Sequence, residues 1–154
     1  MNNIELEELG NTLNILGCSK KEIPNKTLLL LSASLQFNQV LNLKNHSGNT
    51  VGYISWAEVD IHSILAFLNF QRLPEFVHEW KEGNIFWILD FNLPEYPFKS
   101  VIRSQIRCFF KDKFMFHAFG RKPRLSFSSS KVFFETDIFY KLEDLEKSKQ
   151  DLGF

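Results

Sequence analysis

The chain has 154 residues, 44% hydrophobic and 23% charged, and its 18 Lys+Arg balance 18 Asp+Glu to a formal net charge of zero. That length corresponds to one domain of ordinary size with room for a core, and the composition excludes a disordered, collagen-like or coiled-coil chain. A zero net charge argues against a protein that coats nucleic acid generally.

Leu6, Leu9, Leu13 and Leu16 recur at helical spacing, with Glu5, Glu7 and Glu8 in the first turn and Gly17 as a stop, so the pattern predicts a helix over 4–16. No cationic leader with an apolar run is readable in the first residues, and the expected location is cytoplasmic. After a polar connector over 18–26 that contains Pro24, residues 27–38 place Leu28, Leu31 and Leu35 on one face and predict a second helix, with a buried strand as the alternative for its first half. This most apolar stretch is broken by Ser32, Ser34 and Gln36 and falls short of the ~20 residues that span a bilayer, so no membrane span is expected.

Residues 39–44 and 50–57 alternate on either side of His46-Ser47-Gly48-Asn49 and predict a β-hairpin. Asp60 is a good N-cap for a helix over 61–70, where Ile61, Ile64, Leu65 and Leu68 form an apolar stripe. A single turn is expected over 76–80. The run Ile85-Phe86-Trp87-Ile88-Leu89-Asp90-Phe91 then predicts a central strand with one charge in it, ended by Pro94 and Pro97. Over 98–110, Val101, Ile102, Gln105, Ile106 and Phe109 oppose Lys99, Arg103 and Arg107 and predict an amphipathic basic helix. Strands are expected over 113–119 and 125–134, separated by Gly120-Arg121-Lys122-Pro123, and a closing helix over 136–149. The order describes an α+β or α/β domain with a mixed sheet.

Asp90 is the most informative residue, because a carboxylate in an aromatic strand loses solvation unless it is hydrogen-bonded, paired or used. It is either a strand-end group bonding backbone amides as the chain turns away, or a carboxylate that orients or accepts a proton in a cleft at the end of the strand. His46, His62, His78 and His117 form no metal-ligand spacing, and no GxSxG, GxxxxGK[ST] or GxGxxG motif is present, so no metal or nucleotide cofactor is expected. His117, between Phe116 and Ala118 on a strand, is the histidine best placed to lie near a site. Cys18 and Cys108 fit neither a disulfide framework nor a zinc motif and are expected as reduced thiols, Cys18 as a buried one or, near Lys20 and Lys21, a reactive one. Residues 97–131 carry nine positive charges against Asp112 alone, half of all the positive charge in the chain. Lys99, Arg103 and Arg107, one helical turn apart, are either a solvated face or a stripe for an acidic partner. Phe109, Phe110, Phe114 and Phe116 interleave with this basic stretch in phases that fit core positions better than a platform for stacking nucleic-acid bases.

Several segments in order resemble the toxin-activating lysine acyltransferases, bacterial enzymes that fatty-acylate internal lysines of pore-forming RTX protoxins. The likeness covers about residues 5–135: Glu8-Leu9-Gly10, Asn38-Gln39 ahead of the hairpin, Val51-Gly52-Tyr53-Ile54-Ser55-Trp56-Ala57, Leu68-Asn69, Glu79-Trp80 then Gly83, and Trp87-Ile88-Leu89-Asp90-Phe91 with Pro94. The resemblance implies a single GNAT-like α+β domain with a mixed central sheet flanked by helices, acyl carrier protein as acyl donor with no bound cofactor, an RTX-type protoxin as substrate, and a tendency to dimerise. Lys99, Arg103 and Arg107 would dock the acidic carrier. Of the family's two catalytic residues, Asp90 matches the strand aspartate. The other, a histidine in the connector after the first helix, has no counterpart in Cys18-Ser19-Lys20-Lys21-Glu22-Ile23-Pro24, and Glu22 stands nearest its position. Glu22 as substitute base, Asp90 alone, or His117 would each supply the missing function. A catalytically weakened member that binds acyl carrier protein or a toxin as a chaperone is the alternative from another class.

Overall fold

The computed structural model describes residues 3–19, 23–94, 99–119, 122–128 and 133–137. Two helices, α1 (Asn3–Ser19) and α2 (Asn25–Gln36), precede a hairpin of β1 (Val40–Lys44) and β2 (Thr50–Val59). Helix α3 (Ile61–Phe70) and a 3-10 turn (Val77–Trp80) lead to β3 (Ile85–Asn92); α4 (Lys99–Phe109) then connects to β4 (Lys113–His117), followed by β5 (Arg124–Ser128) and β6 (Phe133–Asp137). The fold is α+β. Its strands form one sheet in the order β1-β2-β3-β4-β5-β6, antiparallel except for the parallel pair β3/β4 that the α4 crossover joins. Among the described residues no helix is long and apolar enough to cross a membrane.

Strand alternation decides which helix covers which face. Ala57, Val59, Ile85, Trp87, Phe116 and Leu125 point to one side, where Leu30 and Ala33 of α2 and Ile64, Phe67 and Leu68 of α3 pack on them. Ile54, Trp56, Phe86 and Ile88 point to the other, under Ile102, Ile106 and Phe109 of α4. A third cluster, Leu16 of α1, Leu31 of α2 and Tyr53 of β2, closes the open end of the first layer. The phenylalanines serve this core: Phe67 lies 4.8 Å from Trp87 and Phe109 lies 4.9 Å from Trp56, ring centre to ring centre. Phe110 and Phe116 are buried, as their phases predict.

Polar groups fix the joints. Asp60 caps α3 by accepting the Ser63 N–H at 2.9 Å. Gln105, a polar residue on the apolar side of α4, has a partner there: its amide accepts the Lys44 N–H at 3.0 Å and donates to the Lys44 carbonyl at 2.5 Å, tying α4 to β1. Glu79 closes the segment before β3 by accepting the N–H groups of Glu75 and Phe76 at 2.9 and 3.0 Å while pairing with Arg72 at 2.7 Å.

Burial pushes the Glu79 carboxyl up, but the two backbone donors and the Arg72 guanidinium outweigh it and hold the group below its ordinary value. A carboxylate whose pKa is lowered on folding adds stability above its unfolded pKa of ~4.3, and that stability is lost as pH falls through the folded-state value. Glu79→Gln is therefore expected to cost about 1–2 kcal/mol at neutral pH and to flatten the acid limb of stability. Thermal melts between about pH 3 and pH 7 check this; parallel wild-type and variant curves would remove Glu79 from the acid response.

Three expectations need correction. The first helix runs through Gly17 to Ser19, because Gly17 keeps helical geometry and only a left-handed glycine would stop it there. Residues 125–134 are not one strand: β5 ends at Ser128, β6 begins at Phe133, and the two pair with each other from Arg124↔Asp137 to Ser128↔Phe133. Thr136 and Asp137 consequently belong to β6 rather than to the closing helix, the rest of which, 138–149, lies outside the described residues.

Candidate active site

The site around Asp90 depends on one extra residue in β3. Ser55 pairs with Asp90 but Trp56 pairs with Ile88, which leaves Leu89 without a partner on β2. Strict alternation would send Asp90 to the α4 side with Phe86 and Ile88. The bulge instead sets it opposite Ser55, on the face of Tyr53, Ser55 and Ala57, since directly opposed residues in an antiparallel pair share a face.

On that face the Tyr53 hydroxyl donates to Asp90 Oδ2 at 2.6 Å, and the Ser55 hydroxyl donates to the Asp90 carbonyl at 3.3 Å. Tyr53 is wholly buried, whereas Asp90 is half-buried. Burial, then the hydrogen bond to Asp90, then the carboxylate's charge push the Tyr53 hydroxyl far above its ordinary value, so it stays protonated and donates at neutral pH. Ile23, at the end of the connector, packs against the cluster that contains Tyr53. The Asp90 carboxylate is thus held from across the ladder, by a side chain of β2.

The neighbouring strand leaves part of β3 open. β4 pairs only with Ile85, Phe86 and Trp87, so beyond Trp87 the β4-facing edge of β3 has no ladder partner among the described residues. The two carboxyl ends meet through exposed aromatics: the rings of Phe91 and Phe119 are edge-on at 4.9 Å, and the His117 ring lies parallel to Phe119 at 6.3 Å. Open sheets bind ligands beyond the carboxyl ends of parallel strands, and bulges cluster beside active sites.

Lys99, Arg103 and Arg107 are exposed along α4, as predicted, and Arg103 and Arg107 line an open groove of about 540 Å³ with Lys111, Ser100, Ser104 and Cys108. Because α4 returns from the carboxyl end of β3 to the start of β4, Lys99 lies at the Asp90 end of the stripe and Lys111 at the other. Cys108 and Cys18 are both free and exposed, which corrects the expectation of a buried thiol at Cys18: it sits on the outer side of α1, away from Leu16. Glu22, with Lys20 and Lys21, lies outside the described residues.

A separate pocket of about 320 Å³ lies between α3 and the 3-10 turn, lined by Asp60, His62, Arg72, His78, Glu79 and Glu82 among others. Its main charges are already committed, Asp60 to the helix cap and Glu79 to Arg72. Tyr53 was not singled out from sequence. Its signal was a hydroxyl-bearing ring in phase with Ser55 and Ala57, but its partner depended on a register that the bulge resets.

Neither a protein-family model nor a curated protein matches the chain.

Proposed function

We propose that the chain is a protein-lysine acyltransferase of GNAT-like fold that moves a fatty acyl group from acyl carrier protein to the ε-amine of an internal lysine in an RTX-type protoxin. The observation that carries the reading is the Asp90 carboxylate, turned by a bulge onto the face of Tyr53 and Ser55 and held by the Tyr53 hydroxyl near the carboxyl end of β3. The ordered segments that resemble the toxin-activating acyltransferases support it, as does the α4 crossover between parallel strands whose ladder ends at Trp87.

The chemistry asks for such a group. A lysine ammonium has a reference pKa of ~10.4, so freeing its amine at pH 7 costs about 4.6 kcal/mol before any attack. Asp90 holds the ammonium and takes the proton, with Glu22 as second carboxylate in place of the family's histidine. The amine forms the C–N bond at the thioester carbon, the C–S bond breaks, the carrier thiol leaves with the amine's second proton, and Asp90 gives the first one up to solvent. The stretch of β3 beyond Trp87, where β4 no longer pairs with it among the described residues, offers backbone N–H groups to the oxyanion of the tetrahedral intermediate. Lys99, Arg103 and Arg107 dock the acidic carrier along α4, and its acyl arm passes round the carboxyl end of the sheet to reach Asp90 on the opposite face. No cofactor is held by the chain itself.

Incubation with charged acyl carrier protein and a candidate protoxin, read by intact mass, is expected to show one acyl increment on the acceptor. Reversing charge at Arg103 and Arg107 should weaken carrier binding about tenfold or more and flatten its salt dependence, since exposed charges are screened beyond ~10 Å at 0.1 M salt. Unchanged affinity and salt slope would overturn the docking assignment. The absence of histidine from the connector favours the chaperone reading, which is selected if the carrier or toxin binds but no acyl group moves with several carriers and acceptors.

A further inference from the structure

We infer that Tyr53 is a positioning residue: its hydroxyl fixes one oxygen of Asp90 so that the other is presented to the reacting amine. The inference rests on the acyltransferase reading and adds to it a residue that never touches substrate. A half-buried carboxylate near the end of a strand has freedom about its last torsion, and an unheld one would spend much of its time turned away from an incoming ammonium. Here the restraint is a 2.6 Å hydrogen bond from a donor that is itself immobile. Tyr53 has no exposed surface, and its ring is packed with Leu16 of α1 and Leu31 of α2, with Val40 and Leu35 against them.

The surroundings extend the same restraint. Asn42 and Asn92 are the cross-strand neighbours of Tyr53, and the Thr12 hydroxyl donates to Asn42 Oδ1 at 3.2 Å, so α1 is tied to the row of residues that carries the tyrosine. A phenylalanine would fill this volume equally well. The hydroxyl therefore contributes little to packing and needs a partner once buried, and the partner it has is the carboxylate that the bulge turned toward it. Because the hydroxyl keeps its proton, it orients Asp90 without competing for the substrate's proton.

The experiment compares wild type, Tyr53→Phe, Asp90→Asn and the double variant in acyl transfer from charged acyl carrier protein to a lysine-bearing acceptor. Tyr53→Phe is expected to lower kcat about 10- to 100-fold, the worth of a hydrogen bond to a charged group, with KM for carrier and acceptor within about twofold. In the Asp90→Asn background the same change should alter the residual rate by less than about twofold, because the tyrosine acts only through the carboxylate. A folded Tyr53→Phe protein with wild-type kcat overturns the positioning role and leaves the acyltransferase reading standing; no transfer by wild type overturns both. If Tyr53→Phe fails to fold, Asp90→Glu carries the test. It keeps the charge but moves the carboxylate by one methylene, so a comparable loss of kcat at unchanged KM is expected and wild-type kcat overturns the role.

Discussion

Asp90→Asn is expected to reduce acyl transfer by about 10²- to 10⁴-fold, the usual worth of a general base, while the melting temperature stays within a few degrees of wild type. The fold is spared because asparagine retains an oxygen that accepts the Tyr53 hydroxyl, and Tyr53 remains packed among Leu16 and Leu31. What asparagine loses is the capacity to take a proton and to hold an ammonium. A purely structural Asp90 predicts the reverse pattern, a lowered melting temperature with activity lost only in proportion to unfolding. Transfer rates and thermal melts on the same preparations separate the two, and full activity in a folded Asp90→Asn protein would sink the mechanism. With no histidine in the connector, Glu22→Gln should add a further loss.

The largest effect on stability is expected at Gly83. Its N–H donates to the Glu58 carbonyl at 3.1 Å, which brings its backbone against the end of β2. A β-carbon there would fall on the Val59 carbonyl group and the Asp60 nitrogen, main-chain atoms that cannot swing aside as a flexible side chain can. Room for even one methyl group at this position therefore requires moving the β2–α3 junction, and with it the Asp60 cap of α3. Forced overpacking of this kind costs about 3 kcal/mol or more. At roughly 2–4 °C per kcal/mol for a chain of this size, Gly83→Ala should melt about 10 °C lower. A melting temperature within about 2 °C of wild type would mean that the junction yields more easily than its geometry implies.

The helices and most strands were legible because their signals are local. Leu28, Leu31 and Leu35 fall on one helical face, Asp60 precedes an apolar stripe, and turn residues stand between β1 and β2. Asp90 was legible too, as a charge in an aromatic run. Its surroundings were not. Which residue opposes it is decided by the unpaired Leu89, and no pattern in either strand announces a bulge, so Tyr53 passed as one more aromatic. Gln105 fell in with the apolar residues of α4 by spacing alone, and its partner, a main-chain group far away in the chain at Lys44, leaves no local signal. The split between β5 and β6 was missed for a related reason: serines suit an exposed strand and a turn equally, and only pairing decides between them.

Strand order in space repeats strand order along the chain, and this bears on how the protein is made. Each strand finds its partner in the one synthesised just before it, so the sheet can grow in one direction as the polypeptide leaves the ribosome, with no strand held open for a later arrival. The gap between β2 and β3 is filled by α3 and the 3-10 turn, and that between β3 and β4 by α4, which shortens the chain that must be searched at each step. Tyr53 therefore leaves the ribosome ahead of Asp90, and the carboxylate reaches its restraint as β3 docks.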